Sequence, residues 1–105
     1  MRDRLRSHDC ARLLKVLADP ARLRIIECLR AGPLTVTDLC GQLQEAMANV
    51  SHHLNVLRKA GLVVAAKEGR YVVYALDPKF FRAREPGGTA DLLDLRCCRL
   101  ELTGR

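Results

Sequence analysis

Tryptophan is absent from this 105-residue chain, and aromatic residues make up only 4% of it. Readers of single strands and RNA loops need aromatic platforms on which bases stack, so the scarcity argues against both. No apolar run approaches the ~20 residues of a membrane span. The opening MRDRLRSHDC mixes both charge signs and lacks the apolar stretch of a signal peptide. A cytoplasmic protein without a membrane partner is the expectation. Also missing are a glycine-rich phosphate loop, a Cys-x-x-Cys pair and an independent Ser/His/Asp set. A small thiol enzyme built on Cys97-Cys98 is the alternative of another class, and no substrate site supports it.

What is present is aliphatic and basic. The length suits one domain over residues 1–105, with a core of Leu, Val, Ile and Ala. A domain this size has little burial to spare, and dimerisation would complete its core. Lys and Arg number 18 against 12 Asp and Glu, a net +6 that fits a polyanionic partner without requiring one. Five cysteines in a cytosolic chain are expected as reduced thiols, the odd count disfavouring a closed disulfide framework.

Along the chain, Ser7 can cap a helix over about 8–18 whose apolar face is Leu13, Leu14 and Leu17. Asp19-Pro20 starts a second helix presenting Leu23, Ile26 and Leu29, with Ile25 beside them, which ends at Gly32-Pro33. A short third helix runs from Val36 to Leu43, with Val36, Leu39 and Leu43 inward, and Gln44-Glu45 form the next turn. Asp77-Pro78 could open another helix holding Phe80 and Phe81. After Pro86-Gly87-Gly88, the last segment (89–105) fits a helical stripe through Leu92, Leu95, Cys98 and Leu102. It fits equally a strand alternating Cys98, Leu100 and Leu102 with Arg99 and Glu101.

Residues 46–76, AMANVSHHLNVLRKAGLVVAAKEGRYVVYAL, carry the functional pattern. Val50, Leu54 and Leu57 form one buried stripe of a helix that Gly61 stops. Met47, Asn49, Ser51, His52, Asn55, Arg58 and Lys59 face outward, able to meet a base edge or a phosphate, while His53 packs beneath. A hairpin follows, Leu62 to Val64 and Tyr71 to Leu76, with Lys67 and Arg70 at its polar tip. Helix, stop and hairpin make a winged helix-turn-helix: mainly α with a β-hairpin wing, dimeric, with double-stranded operator DNA as partner.

Two stretches, LADPARLRIIECLRAGPLTVTDLCGQL and NVSHHLNVLRKAGLVVAAKEGRYVVYAL, resemble the ArsR/SmtB family of metal- and stress-responsive repressors. The resemblance covers about Leu17 to Leu76. It implies a homodimer that binds operator DNA when empty and releases it when an inducer fills a sensing site, with an interface built from the first and last segments, to which Leu5, Leu13, Leu92, Leu95 and Leu102 are assigned for want of another core to join. Three departures matter. Founding arsenic and cadmium sensors carry Cys-Val-Cys-Asp-Leu-Cys in the third helix, where this chain has Thr35-Val36-Thr37-Asp38-Leu39-Cys40, and hydroxyls are poor ligands for soft ions. Zinc sensors place Asp and His on the last helix, but no His follows His53, so Asp91 and Asp94 read as a solvated face. The reading helix also starts at Ala46, where relatives often have a Ser or Thr cap.

The vicinal Cys97-Cys98 pair is the outstanding remaining feature. Two adjacent thiolates suit a soft ion, and Cys10 is the candidate third ligand, from the same or the partner subunit, because the terminal segments should meet. As(III) is favoured as inducer, with Cd(II) or Zn(II) as alternatives and His8 as an added nitrogen donor for them. Cys28 and Cys40 read as small hydrophobes. Thiol-redox or persulfide sensing, with Cys28 as an early partner of the last segment, is the competing mechanism.

Overall fold

Proline and its preceding cap set the frame of the helical half. The computed structural model describes the backbone of residues 2–104 and the side chains of 7–104. After α1 (Arg2–Leu17), Asp19 turns extended (φ −138°, ψ 125°), and its carboxylate accepts from the amides of Ala21 at 2.9 Å and Arg22 at 3.2 Å. Pro20 then opens α2 (Pro20–Leu29), where a missing N–H costs nothing. A two-residue strand β1 (Leu34–Thr35) leads into α3 (Val36–Leu43). Thr35 and Asp38 close a capping box there, Asp38 N–H to Thr35 Oγ1 at 3.1 Å and Thr35 N–H to Asp38 Oδ2 at 3.2 Å.

Gln44, left-handed at φ 54°, turns the chain into α4 (Met47–Lys59). That helix ends in a Schellman motif. Gly61 sits at φ 85°, Leu62 N–H reaches Leu57 O and Gly61 N–H reaches Arg58 O, both at 3.0 Å. The motif delivers Leu62 into the core and starts β2 (Val63–Glu68), which pairs antiparallel with β3 (Tyr71–Leu76). Gly69, at φ 62°, supplies the left-handed first residue of the two-residue loop between Glu68 and Tyr71. β1 joins the other edge of β3, anchoring the hairpin to the helices in the order β1-β3-β2.

Val50, Leu54 and Leu57 are fully buried against Ile25, Ile26, Leu29, Leu39 and Leu43, as a helix-turn-helix core requires. Two apolar positions differ from expectation. Leu14 and Leu23 are 40% and 43% exposed, and Ile25 takes the inward place assigned to Leu23.

The terminal segments hold the larger corrections. Ser7 lies inside α1 rather than capping it, because no Gly or Pro interrupts the residues before it and the helix extends back to Arg2. Asp77-Pro78 opens a turn instead of a helix: the amides of Phe80 and Phe81 both reach Asp77 O at 3.0 Å, and Lys79 N–H reaches Asp77 Oδ1 at 2.9 Å. The chain then enters a second antiparallel sheet of β4 (Phe81–Arg82), β5 (Asp91–Asp94) and β6 (Arg99–Leu102). The last segment is therefore a hairpin, its two-residue periodicity winning over the helical stripe. Leu13 and Leu95, assigned to a dimer interface, are buried in the chain's own core, and Leu92 and Leu102 are half-buried. Leu5, given the same role, lies outside the described side chains.

Candidate functional site

The candidate reading surface follows from the helix period. With Val50, Leu54 and Leu57 inward, Met47, Asn49, Ser51, His52, Asn55, Arg58 and Lys59 are all exposed on α4. Lys67 and Arg70 are exposed at the wing tip. Local contacts order part of this face: Arg58 Nη2 donates to Asn55 Oδ1 at 2.9 Å and Asn49 Nδ2 to Glu45 Oε1 at 3.4 Å. No side chain caps α4, as Ala46 anticipates. His53 is half-buried beneath the helix, its Nδ1 3.2 Å from Arg22 Nη1.

The second assembly is made of sulfur. Cys10 on α1 and Cys97 and Cys98 in the β5–β6 turn place their sulfurs within 4.8 Å of one another. The turn is closed by Leu95 N–H to Cys98 O at 2.9 Å, and Arg96 adopts the left-handed φ of 75°, its amide held by Asp94 Oδ1 at 2.8 Å. All three sulfurs belong to one chain, so no partner subunit is needed to supply Cys10.

Cys10 and Cys97 are joined as a disulfide, with Cα atoms 6.0 Å apart, which corrects the expectation of five reduced thiols. An odd cysteine count does not prevent a single bridge once α1 runs past the turn, and a separation of 87 residues hides that meeting from the sequence. Cys98 Sγ lies 3.8 Å from Cys10 Sγ and 3.9 Å from Cys97 Sγ. Two thiolates bound to one ion at ~2.3 Å in tetrahedral geometry stand ~3.8 Å apart, so two of the three spacings already suit a thiophilic ion. Reduction of the bridge would let the third spacing relax to the same value. An open cleft of about 500 Å³ lined by Cys10 and Cys97 gives an ion a path from solvent.

The other sulfurs stand apart. Cys28 and Cys40 are half-buried against the core and belong to no metal-sized cluster among the described residues. The Thr35 hydroxyl, which replaces a thiol of the founding sensors, is engaged in the α3 capping box.

Sequence reasoning missed a third assembly. Arg30, following α2, has a side chain only 6% exposed. Its Nε donates to Asp91 Oδ2 at 2.8 Å, its Nη1 to Glu27 Oε2 and Thr103 O, both at 2.9 Å, and its Nη2 to Leu102 O at 2.5 Å and Gly104 O at 3.3 Å. Asp91 is thus a buried ion-pair partner rather than a solvated carboxylate. Burial alone would raise its pKa, but the Arg84 amide, at 2.8 Å, and the Arg30 guanidinium outweigh it and hold the carboxyl below its ordinary range. The Glu27/Arg30 spacing was visible, but nothing local pairs Arg30 with a residue 61 positions away.

A model of the helix-turn-helix domain matches residues 17–64. The HTH-type transcriptional regulator NmtR of Mycobacterium tuberculosis is 50% identical over 66 residues, which are 63% of this chain and 55% of that protein. The chain thus spans little more than half of that relative's length. The arsenical resistance operon repressor of Escherichia coli K12 is 39% identical over 83 residues, 78% of this chain and 67% of the repressor. Among solved structures, the homodimeric winged helix-turn-helix DNA-binding domain of a Mycobacterium bovis protein superposes with a TM-score of 0.69 at 28% identity, covering 74% of this chain and 72% of that one. Among the described residues no helix is long and apolar enough to cross a membrane.

Proposed function

Since the chain belongs to the ArsR/SmtB family of winged helix-turn-helix transcriptional regulators, we propose that it is a homodimeric repressor released from operator DNA by a thiophilic ion at Cys10, Cys97 and Cys98. The family consists of DNA-binding regulators rather than enzymes. In this reading α4 enters the major groove and the β2–β3 wing reaches the flanking backbone. As(III) is the favoured inducer, with Cd(II) or Zn(II) able to use the same donors. A cytoplasmic location fits this reading.

The observation that carries the reading is the convergence of three sulfurs from opposite ends of the chain within 4.8 Å. The sulfurs must be reduced before they bind an ion. An ion held by all three would tie α1 to the β5–β6 turn and favour a dimer whose reading helices no longer match adjacent grooves. Only an ion that binds the DNA-free form more tightly can act this way, and bound DNA must weaken ion binding by the same factor. The test is operator binding by fluorescence anisotropy with reduced protein. Release by As(III) that Cys97→Ser and Cys98→Ser both abolish supports the reading; release unchanged in both variants sinks it.

A second reading rests on the Cys10–Cys97 bridge itself. Formation of that bond would then be the signal, with oxidant or persulfide as inducer. Under this reading peroxide or persulfide releases the operator without metal, and As(III) under reducing conditions does not.

A further inference from the structure

The sulfur cluster and the DNA-reading helix lie on different elements, so a signal needs a connection between them. We infer that Arg30 is that connection: a positioning residue that couples ion binding at the β5–β6 turn to the setting of α4, through α2. The inference rests on the thiol-sensor reading above and assigns how its site communicates.

The geometry of the hairpin leads to Arg30. β5 and β6 pair Asp94 with Arg99 next to the cysteine turn and Asp91 with Leu102 at the opposite end. Three residues of strand separate these ends, ~10 Å. Arg30 grips the far pair, taking the Asp91 carboxylate with Nε and the Leu102 carbonyl with Nη2. The hairpin thus has its thiols at the tip and one guanidinium at its base. A guanidinium has five N–H donors, and here Asp91, Glu27 and three successive carbonyls, Leu102, Thr103 and Gly104, take them all. A lysine ammonium offers only three donors and no planar fork, so it cannot reproduce the grip.

The opposite end of α2 is fastened to the reading helix. Arg22 Nη1 meets His53 Nδ1 of α4, and Ile25, Val50 and Leu54 are buried in one core. From Arg22 to Arg30 is eight residues of helix, a rod of ~12 Å. A rigid rod held at one end by the hairpin and at the other by α4 passes a displacement along its length. Two other paths run from the sulfurs, α1 to its Val16–Arg22 contact and Phe80 to the end of α4, and substitutions at Arg30 and Asp91 leave both intact, so the variants separate the latch from them.

The experiment uses reduced full-length protein and Cd(II), whose thiolate charge-transfer absorbance reports binding independently of DNA. Operator affinity is measured without and with saturating Cd(II) for the wild type, Arg30→Lys and Asp91→Asn. Coupling in such systems runs from roughly 5- to 150-fold. The expected result is metal-free operator affinity and Cd(II) absorbance within threefold of wild type in both variants. The Cd(II)-induced loss of affinity should fall below about threefold in Arg30→Lys and to an intermediate value in Asp91→Asn. Wild-type coupling in either variant overturns the inference. So does loss of metal-free operator binding in both, which would make the latch merely structural. Should Arg30→Lys alone fail to fold, the coupling measured in Asp91→Asn decides. A wild type that releases DNA with neither Cd(II) nor As(III) refutes instead the sensor reading on which the inference stands; release by As(III) alone moves the same comparison of variants to As(III).

Discussion

Arg22 and His53 join α2 to the helix proposed to enter the major groove: Arg22 Nη1 on α2 lies 3.2 Å from His53 Nδ1 on α4. The same guanidinium donates from Nε to Val16 O at 2.6 Å, so one side chain holds the end of α1, the start of α2 and the underside of the reading helix. Arg22→Ala should cost about 1–3 kcal/mol by leaving partly buried acceptors unmatched. Urea denaturation reads this as a lower midpoint at unchanged slope. An unaltered midpoint would reduce the contact to decoration.

On the DNA face, Lys67, Arg70, Arg58 and Lys59 are expected to meet phosphates. Replacing any one of them with Ala should lower the log–log salt slope by ~1 and weaken all duplexes alike. Ser51→Ala or His52→Ala should instead relax operator choice, with ~1–3 kcal/mol lost for each base contact removed. If Arg70→Ala left both affinity and salt slope untouched, the wing would have to be placed off the DNA.

At the sulfurs, Cys10→Ser, Cys97→Ser and Cys98→Ser should each keep operator binding and lose the metal response. Cys28→Ser should keep both operator binding and the metal response. Thiols must shed their protons to become ligands, so metal affinity should fall as pH drops, and a chelator should restore the complex with DNA. Equal Cd(II) affinity at pH 6 and pH 8 would argue against thiolate ligands.

Acid stability offers a check on the Arg30–Asp91 latch. Asp91 titrates below its ordinary range in the fold, so its ionised form is the one folding favours. Its contribution is complete above the unfolded value of ~3.9 and fades as pH falls through the lower folded value. Asp19 is lowered too, first by the Arg22 amide and then, against the opposing effect of burial, by the Arg22 charge, and acts in the same direction. Asp91→Asn should therefore flatten, without abolishing, the fall of Tm between about pH 5 and pH 2. An acid limb as steep as the wild type's would assign the whole effect to other carboxylates.

Assembly can be probed at Leu14, 40% exposed on α1 four residues from Cys10. If α1 helps to form the dimer, Leu14→Asp should loosen it by roughly 10-fold or more, since a buried leucine contributes about 1.5–3 kcal/mol. Sedimentation equilibrium at micromolar concentration measures the shift. A dimer as tight as the wild type's would move the interface away from α1.

The helical half was readable because its signals are local. Asp19-Pro20, the stripe of Val50, Leu54 and Leu57, and Gly61 each act over a few residues, and each is found doing what its chemistry suggests. The C-terminal half was not, because its order is set by distant partners. Leu92 to Leu102 satisfies both a helical and a two-residue period, and contacts from across the fold accompany the hairpin: Arg30 on Asp91 and Leu102, β4 paired with β5, and Leu93 and Leu95 buried in the core. The vicinal cysteines marked the sensing candidate, and the expectation that the termini meet brought Cys10 to them. That Cys10 and Cys97 approach closely enough to bond needed the packing of α1 on the turn.

The bridge between Cys10 and Cys97 does more than occupy two ligands. Its ends are separated by 87 positions in the sequence, so it turns most of the chain into a ring. Such a closure removes enough freedom from the unfolded chain to favour the native state by ~4–5 kcal/mol on the chain-entropy model. The reduced protein, the form able to capture an ion, is therefore the looser of the two. An ion gripping Cys10 together with Cys97 and Cys98 closes the ring again, and its binding energy then counts toward folding. Oxidant and metal compete for the same sulfurs, yet each leaves the chain circular, and the open chain is the state that waits for either.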